Sequence, residues 1–314
     1  MRFRDDLPQL SGGLFITDGG IETTLIFHRG LDLPEFAAFD LLKHAQGTEE
    51  LRRYYRPYLE LARERGAGFV LESPTWRANP GWAEKIGYSE GELDEANRRA
   101  IALMQELRLA EDEAGAGPIV ISGCVGPHGD GYDPETLLAA EAAQRYHSAQ
   151  IETFADTAAD MVTAITMTYA EEATGVALAA RAAGLPVAIS FTVETDGRLP
   201  DSSSLGDAIA QVDEATGSYP AYYMINCAHP THFEPAIEAG EWRERIRGVR
   251  ANASTKSHAE LDEATELDEG DPADLGDRHA ALRDRLPELN VLGGCCGTDH
   301  RHVAEISAAW AGSR

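Results

Sequence analysis

Short apolar segments rich in valine and isoleucine recur along the chain, and stretches with helical periodicity separate them. Each segment is apolar on both faces, which is typical of a parallel strand buried between layers of helices. The predicted strands are Leu14–Thr17, Phe69–Leu71, Ile119–Ser122, Met161–Ile165, Val187–Phe191, Tyr222–Ile225, Gly248–Arg250 and Val291–Leu292.

Amphipathic helices are predicted between these strands. The first, Thr48–Arg65, has Thr48 as its candidate N-cap residue and ends before Gly66, a candidate C′ residue. The others are Ser89–Ala114, Pro134–Ala158, Ala170–Ala183, Leu205–Thr216, Thr231–Ala239, Asp277–Leu286 and Thr298–Ala311. The acidic segment Ser257–Asp277 is expected to be a solvated loop or a short helix before the last barrel unit.

This alternation of strand and helix, repeated about eight times, predicts an α/β fold. The expected architecture is a (β/α)8 TIM barrel that forms a single domain over residues 1–314. An open, doubly wound sheet is the alternative. No G-x-G-x-x-G motif follows the first strand, which argues against the dinucleotide-binding form of that alternative.

The charge balance restricts the partners of this protein. It has 27 basic and 53 acidic residues, a formal net charge of −26, and such a surface repels nucleic-acid phosphates and anionic lipids. We therefore expect neither a nucleic acid nor a membrane as partner. The charged N-terminus lacks the apolar region of a secretory signal, and four cysteines are too few for a disulfide scaffold, so a reduced, cytoplasmic location is expected.

Polar residues and cysteines follow several of the predicted strands, and barrel enzymes carry their active sites at these carboxyl ends. The segments are Thr17-Asp18-Gly19-Gly20, Glu72-Ser73-Pro74-Thr75-Trp76, Gly123-Cys124-Val125-Gly126-Pro127, Asn226-Cys227-Ala228-His229-Pro230 and Gly293-Gly294-Cys295-Cys296-Gly297-Thr298.

Three cysteines lie at two of these strand ends. Cys227 follows the sixth strand, and Cys295 and Cys296 follow the eighth. Side chains at these positions can converge over the barrel mouth, where three thiolates form a soft site whose usual metal is Zn²⁺. Three protein ligands leave the fourth coordination position open, as in catalytic zinc sites. Gly293 and Gly294 are expected to let the backbone turn sharply, so that both successive thiolates reach one ion.

Other residues near these motifs have weaker claims to a role. Cys124 ends the third strand without a partner motif and is expected to fill the core. His229 and His232 follow Cys227 and are possible ligands by residue type, but positions in a loop or first helical turn explain them better. Asn226 is expected to set the geometry of the site through its amide, which can bridge a neighbouring loop or the substrate.

Together the motifs resemble the zinc-dependent homocysteine S-methyltransferases, a family that includes S-methylmethionine– and betaine–homocysteine methyltransferases. The resemblance lies in Asp18-Gly19-Gly20 with Thr23 and Leu25, Gly123…Gly126-Pro127, Asn226-Cys227, Asn252 and Gly293-Gly294-Cys295-Cys296-Gly297-Thr298. It implies a (β/α)8 barrel, zinc bound by Cys227, Cys295 and Cys296, and contact of Asp18 and Gly19 with the amino-acid end of a thiol substrate.

The function implied is methyl transfer from a sulfonium or betaine-type donor to a thiol, homocysteine above all, to give methionine. An aliphatic thiol with a reference pKa of ~8.5 is mostly protonated at neutral pH, and coordination to zinc deprotonates it. One alternative is a methyltransferase that acts on a different thiol. Another is a zinc or vicinal-dithiol protein with a structural or redox-sensing role, and a third is a zinc-dependent barrel hydrolase. The oligomeric state is left open.

Two positions depart from the family pattern. Ile165 occupies the place of the glutamate that holds the substrate ammonium, with Thr166 in the place of the following threonine. At the end of the second strand a threonine-rich stretch is replaced by one that begins with Glu72. We expect Glu72 to take over the ammonium contact, assisted by Asp18. Alternatively, Glu72 pairs with a nearby arginine such as Arg77.

Overall fold

The barrel of this protein, seen in a computed structural model that describes residues 2–132, 136–264 and 266–312, is built from parallel strands. Eight strands of the described chain close in sequence order, and the last pairs with the first. They are β1 (Phe15–Ile16), β2 (Gly68–Glu72), β3 (Ile119–Val125), β4 (Met161–Met167), β5 (Val187–Thr192), β6 (Tyr222–Asn226), β7 (Ile246–Ala251) and β8 (Val291–Gly294). The predicted (β/α)8 barrel is confirmed, and the open sheet is wrong.

Helices follow the strands and cover the outside of the barrel. In the described chain they are α1 (Ala45–Arg65), α2 (Pro80–Lys85), α3 (Glu90–Glu113), α4 (Ala140–Ala155), α5 (Ala170–Ala183), α6 (Leu205–Thr216), α7 (Pro230–Phe233), α8 (His258–Asp262), α9 (Pro272–Ala281) and α10 (His300–Gly312). None of the described helices is both long enough and apolar enough to cross a bilayer.

The ends of the first helices test the sequence signals directly. Gly66 has a φ of 61° and ends α1 as predicted, because glycine adopts the left-handed conformation without a steric cost. Thr48 is not the N-cap residue: α1 begins after His44, and the Thr48 hydroxyl donates a hydrogen bond to the His44 carbonyl oxygen (3.1 Å). Ser89 caps α3 through a capping box with Glu92.

Three predicted helices have different bounds. The prediction for 134–158 is helical in the described chain only over α4, and residues 133–135 lie outside the described residues. The single helix predicted for 231–239 is wrong, since a 3₁₀ turn containing Pro235 follows α7, and proline has no N–H to continue an α-helix. The helix predicted for 277–286 begins earlier, at Pro272, because Asp271 accepts hydrogen bonds from two backbone amides and caps it. The acidic segment therefore contains α8 and the start of α9.

Strand register brings the carboxyl ends of β6, β7 and β8 to one level. Asn226 pairs with Arg250, and Arg250 pairs with Gly293. Cys227 follows one residue beyond this level and Cys295 two residues beyond it. The predicted convergence of the two cysteine motifs over the barrel mouth is thus a direct result of parallel pairing.

Candidate functional site

A cavity of about 490 Å³ opens at the carboxyl ends of the strands. Its lining includes Asp18, Glu72, Ile165, Thr166, Arg250 and Cys227. This is the end of the barrel at which (β/α)8 enzymes carry their active sites.

The three predicted metal ligands meet at this cavity. The Sγ atoms of Cys227, Cys295 and Cys296 all lie within 4.8 Å of one another, and within the described chain no further histidine, cysteine or carboxylate joins the group. Cys227 and Cys295 are joined as a disulfide with Cα atoms 5.4 Å apart, whereas Cys296 lies outside the disulfide and is exposed. The disulfide therefore links the two strand ends and not the vicinal pair. A metal-binding form requires all three as thiolates.

Backbone constraints place the sulfur atoms. Cys227 has a φ of 54°, a left-handed conformation that is rare outside glycine, and its amide donates to the Arg250 carbonyl oxygen (3.0 Å). The Cys295 amide donates to the Ala251 carbonyl oxygen (2.8 Å). Both cysteines are thus tied to the backbone of β7, which lies between their strands.

The glycines before the cysteine pair act through close packing. A Cβ on Gly293 would lie 1.9 Å from Thr17 Oγ1, and one on Gly294 would lie 2.0 Å from Thr298 Oγ1. Neither glycine has a positive φ, so the sharp turn expected at these positions is wrong. The left-handed conformation that glycine tolerates is found instead at Gly297, whose φ is 77°.

Tyr132 adds a hydroxyl group to the sulfur cluster. Its Oη lies 3.4 Å from Cys227 Sγ and 3.6 Å from Cys296 Sγ. Its ring packs against His258, whose Nε2 lies 2.5 Å from the Cys227 carbonyl oxygen. Burial, together with the nearby Cys296 sulfur, raises the pKa of Tyr132 well above its usual value, so this phenol remains a hydrogen-bond donor.

A buried charge cluster also lines the cavity. Arg250, from β7, donates to Asp18 Oδ1 (2.7 Å) through Nη2 and to Glu72 Oε2 through Nη1. Its remaining contacts are the carbonyl oxygens of Gly19 (3.2 Å) and Gly294 (3.0 Å). Of the two sequence-based expectations for Glu72, an arginine partner is present, but it is Arg250 and not Arg77.

Burial and neighbouring charges shift the pKa values of Arg250 and Glu72 in opposite directions. Burial alone would lower the pKa of Arg250, but the charges of Asp18 and Glu72 raise it above its ordinary value. Burial raises the pKa of Glu72 to about 7, although the Arg250 charge works against this. Arg250 therefore stays charged, and its contacts are charge-assisted hydrogen bonds.

Thr166 and Asn226 form a polar support at the end of β4. Thr166, with a φ of 62°, donates its hydroxyl to the Ile165 carbonyl oxygen (2.6 Å) and accepts from Trp76 Nε1 (2.7 Å). Asn226 is fully buried; its Oδ1 accepts from the Thr166 amide (3.2 Å) and the Ser190 hydroxyl (2.5 Å). Asn226 thus links the ends of β4 and β5 and holds Thr166 in its strained conformation.

The other residues weighed in the sequence lie apart from the sulfur cluster. Cys124 is a buried free thiol in the cavity wall, and burial raises its pKa well above the usual value, with Glu72 adding to the effect. His229 caps α7 by accepting from the Thr231 amide, and burial lowers its pKa to about 4. His232 Nε2 lies 2.9 Å from the Thr255 carbonyl oxygen.

Sequence reasoning missed Arg250 and Tyr132 as members of the site. Arg250 was inside a predicted strand, and a charged residue in an otherwise apolar buried strand is itself a signal for a buried partner. Tyr132 lies in a glycine-rich loop after β3, and its large separation in sequence from Cys227 and Cys296 hides the contact.

Comparison with known proteins identifies the family. The sequence model of the homocysteine S-methyltransferase family matches residues 15–310. No curated protein sequence matches this chain.

Among solved structures, the chain is similar to the homocysteine methyltransferase MmuM from Escherichia coli. The metallated form superposes with a TM-score of 0.71 and 19% identity, over 95% of this chain and 96% of that one. For the oxidized form the TM-score is 0.72 and the identity 20%, over 94% and 95%. These likenesses establish the shared fold. The family match extends from the first strand of the barrel into its last helix, and the chain therefore belongs to the homocysteine S-methyltransferase family.

Proposed function

We propose that this methyltransferase binds Zn²⁺ through Cys227, Cys295 and Cys296 and uses a cationic sulfonium or betaine-type methyl donor. The acceptor is homocysteine, and the products are methionine and the demethylated donor. The observation that carries the proposal is the convergence of three cysteine sulfurs, within 4.8 Å of one another, on the wall of the barrel cavity.

The donor set fits zinc. Three sulfur ligands from two strand ends are suited to a tetrahedral Zn²⁺ site that leaves one position for a substrate. When bound, zinc lowers the pKa of the acceptor thiol and holds it as a nucleophilic thiolate. Because the ligands must be free thiols, the active form is reduced, which suits a cytoplasmic location.

The chain's own residues orient the acceptor and the sulfurs. Asp18 and Gly19 lie beside the cavity, held by Arg250 and by the Tyr54 hydroxyl, which donates to Asp18 Oδ2 (2.8 Å). We assign them the amino-acid end of the acceptor. In this proposal Glu72 acts mainly by fixing Arg250, and Tyr132 donates its hydroxyl toward the ligand sulfurs.

Thr166 and Asn226 complete the proposed substrate site. Thr166 lines the cavity next to Ile165, and the Asn226 side chain accepts a hydrogen bond from the Thr166 amide. The methyl group moves as a cation equivalent: a bond forms between the acceptor sulfur and the methyl carbon while the donor's bond to that carbon breaks. The leaving group keeps the electron pair and departs neutral. The acceptor sulfur, the methyl carbon and the donor's sulfur or nitrogen atom must lie in line, and holding them so lowers the activation barrier by several kcal/mol.

The test combines metal analysis with an activity assay. The protein is reduced, loaded with zinc and dialysed; one zinc per chain is expected in the parent and in Cys124→Ser, the matched control. Cys295→Ser and Cys296→Ser should lose most of the metal. Methyl transfer to homocysteine is then measured with S-methylmethionine, S-adenosylmethionine and betaine as donors. Full zinc retention in both ligand variants would contradict the site, and no turnover with any donor would contradict the reaction.

A further inference from the structure

The cavity contains an apolar residue where the acceptor's ammonium needs a charged partner. Ile165 lines the cavity and is only 7% exposed. It cannot pair with an ammonium, and an unpaired cation in a largely enclosed site is costly. An amino-acid thiol therefore requires another carboxylate in the wall.

The carboxylates of the buried charge cluster border the amino-acid end of the acceptor but are poor candidates for the ion-pair partner of its ammonium. Both oxygens of Asp18 are engaged, one by Arg250 and the other by the Tyr54 hydroxyl. Glu72 gives one oxygen to Arg250, and its second, Oε1, is enclosed in the wall beside Thr163 and is not accessible from the cavity. The Arg250 charge offsets much of the attraction that either group offers to a second cation.

Among the other carboxylates that line the cavity in the described chain, Glu22 lies close enough to Asp18 and Arg250 for their charges to act on it. It lines the same cavity, is only partly buried, and forms no ion pair with any residue in the described part of the chain. It lies four residues after Asp18 and directly before the π-helix Thr23–His28. π-Helical turns are frequent at functional sites.

The segment that carries Glu22 is docked on the cysteine motif. On one side, a Cβ added to Gly20 would lie 2.6 Å from the Cys295 carbonyl oxygen, so the two backbones are in direct contact. On the other side, Thr23 Oγ1 accepts a hydrogen bond from the Gly297 amide (3.0 Å). Glu22 is therefore held beside the place where the acceptor sulfur would bind.

The surroundings of Glu22 favour a cationic partner. Burial raises the pKa of Glu22 to about 7, with an opposing effect from Arg77. The Arg77 guanidinium is held elsewhere, stacked 4.1 Å from the Trp76 ring centre and 3.4 Å from that of Trp82. A poorly solvated carboxylate without an ion-pair partner gains most from a ligand that brings its own positive charge.

We propose that Glu22 accepts a hydrogen bond from the ammonium group of the acceptor amino acid, the role for which position 165 has no carboxylate. This rests on the proposed thiol methyl transfer and assigns the residue that makes the enzyme select α-amino thiols. Glu22 is a binding and specificity residue, and it takes no part in the bond changes.

The experiment compares two thiols in the zinc-loaded enzyme. One is homocysteine, and the other is 4-mercaptobutanoate, which is homocysteine without its amino group. In Glu22→Gln, kcat/KM for homocysteine should fall about 10- to 100-fold, the loss expected for a charge-assisted hydrogen bond, while the value for 4-mercaptobutanoate stays within about twofold. Glu266→Gln, which removes an exposed carboxylate from the cavity rim, is the matched control and should leave both values unchanged.

Other results would overturn the assignment. Equal losses with both thiols would place Glu22 in donor binding or in structure, and a selective loss in Glu72→Gln with none in Glu22→Gln would assign the ammonium to Glu72. Zinc content confirms that each variant is folded. If Glu22→Gln loses zinc, the ratio of kcat/KM for homocysteine to kcat/KM for 4-mercaptobutanoate is measured in Glu22→Asp instead. A ratio unchanged from the parent refutes the proposal. If the parent enzyme methylates both thiols equally well, only the role of Glu22 is refuted, and the proposed function stands. If the parent enzyme methylates neither thiol, the proposed function itself is refuted.

Discussion

Arg250→Met removes the only guanidinium that contacts Asp18 and Glu72 in the described structure. The parent side chain is nearly enclosed, with 8% of its side-chain surface exposed, and the two carboxylates are 6% and 4% exposed. Methionine fills much of the space but leaves two buried carboxylates without their partner. Removing one member of a buried ion pair costs about 3–5 kcal/mol, so we expect a loss of that size in the free energy of unfolding at pH 8.

The measurement is urea unfolding followed by circular dichroism, with Arg247→Met as the matched control. Arg247 lies on the same strand and pairs with Glu288 at 2.8 Å, but that carboxylate is 45% exposed, and such pairs contribute about 0–1 kcal/mol. Arg247→Met should therefore change the free energy of unfolding by less than 1 kcal/mol. The difference between the two variants isolates the effect of burial.

The pH dependence of the free energy of unfolding is a second test of the same charge cluster. Burial raises the pKa of Glu72 from 4.5 to about 7, so the folded chain binds this proton more tightly than the unfolded chain does. This group's contribution to stability is fully present below pH 4.5 and is lost as the pH rises through about 7. Without the Arg250 charge the pKa of Glu72 rises further, and Arg250→Met should lose less stability at pH 6 than at pH 8. Equal losses in Arg250→Met and Arg247→Met, or a larger loss at pH 6 than at pH 8, would refute this account.

Three further predictions concern the metal site and its support. Zinc affinity, measured by competition with a chelator, should fall between pH 8 and pH 6 because the ligands must be deprotonated; constant affinity would argue against cysteine ligation. Asn226→Ala leaves its buried partners on β4 and β5 unpaired and should lower the free energy of unfolding in urea by about 1–3 kcal/mol, while turnover falls and the zinc is kept; unchanged turnover would mean that Asn226 has a structural role only. Gly293→Ala places a Cβ 1.9 Å from Thr17 Oγ1 and should destabilise the fold by about 1–3 kcal/mol, whereas Gly13→Ala, with open space around it, should be neutral within about 0.5 kcal/mol.

The barrel and its repeating units could be predicted from the sequence because most strands are buried on both faces and are therefore runs of apolar residues. Helix ends marked by local chemistry were also predictable, as at Gly66 and Ser89, where a left-handed glycine and a capping box set the boundary. Helix ends that depend on tertiary contacts could not be predicted. Thr48 is the example, because it was expected to be the N-cap residue of α1 but lies inside that helix. A cap signal is local, but packing decides which of several possible turns begins the helix.

The cysteine site could also be predicted, because parallel strands bring residues at their carboxyl ends together whatever lies between them in the sequence. Membership of the methyltransferase family follows from the same motifs and is confirmed. The role of the glycine pair was predicted for the wrong reason: a missing Cβ serves close packing as well as tight turns, and only the neighbouring Thr17 and Thr298 distinguish the two.

Which charges neutralise one another was decided by the tertiary structure alone. The sequence contains the carboxylates of Asp18 and Glu72 and many arginines, and nothing local selects Arg250 over Arg77. Strand register and side-chain direction make that choice, and it engages Asp18 and Glu72 while Glu22 faces the cavity. The residue types at strand ends therefore determine which chemistry is available, whereas the distances between side chains from different strands determine which groups remain free to bind a substrate.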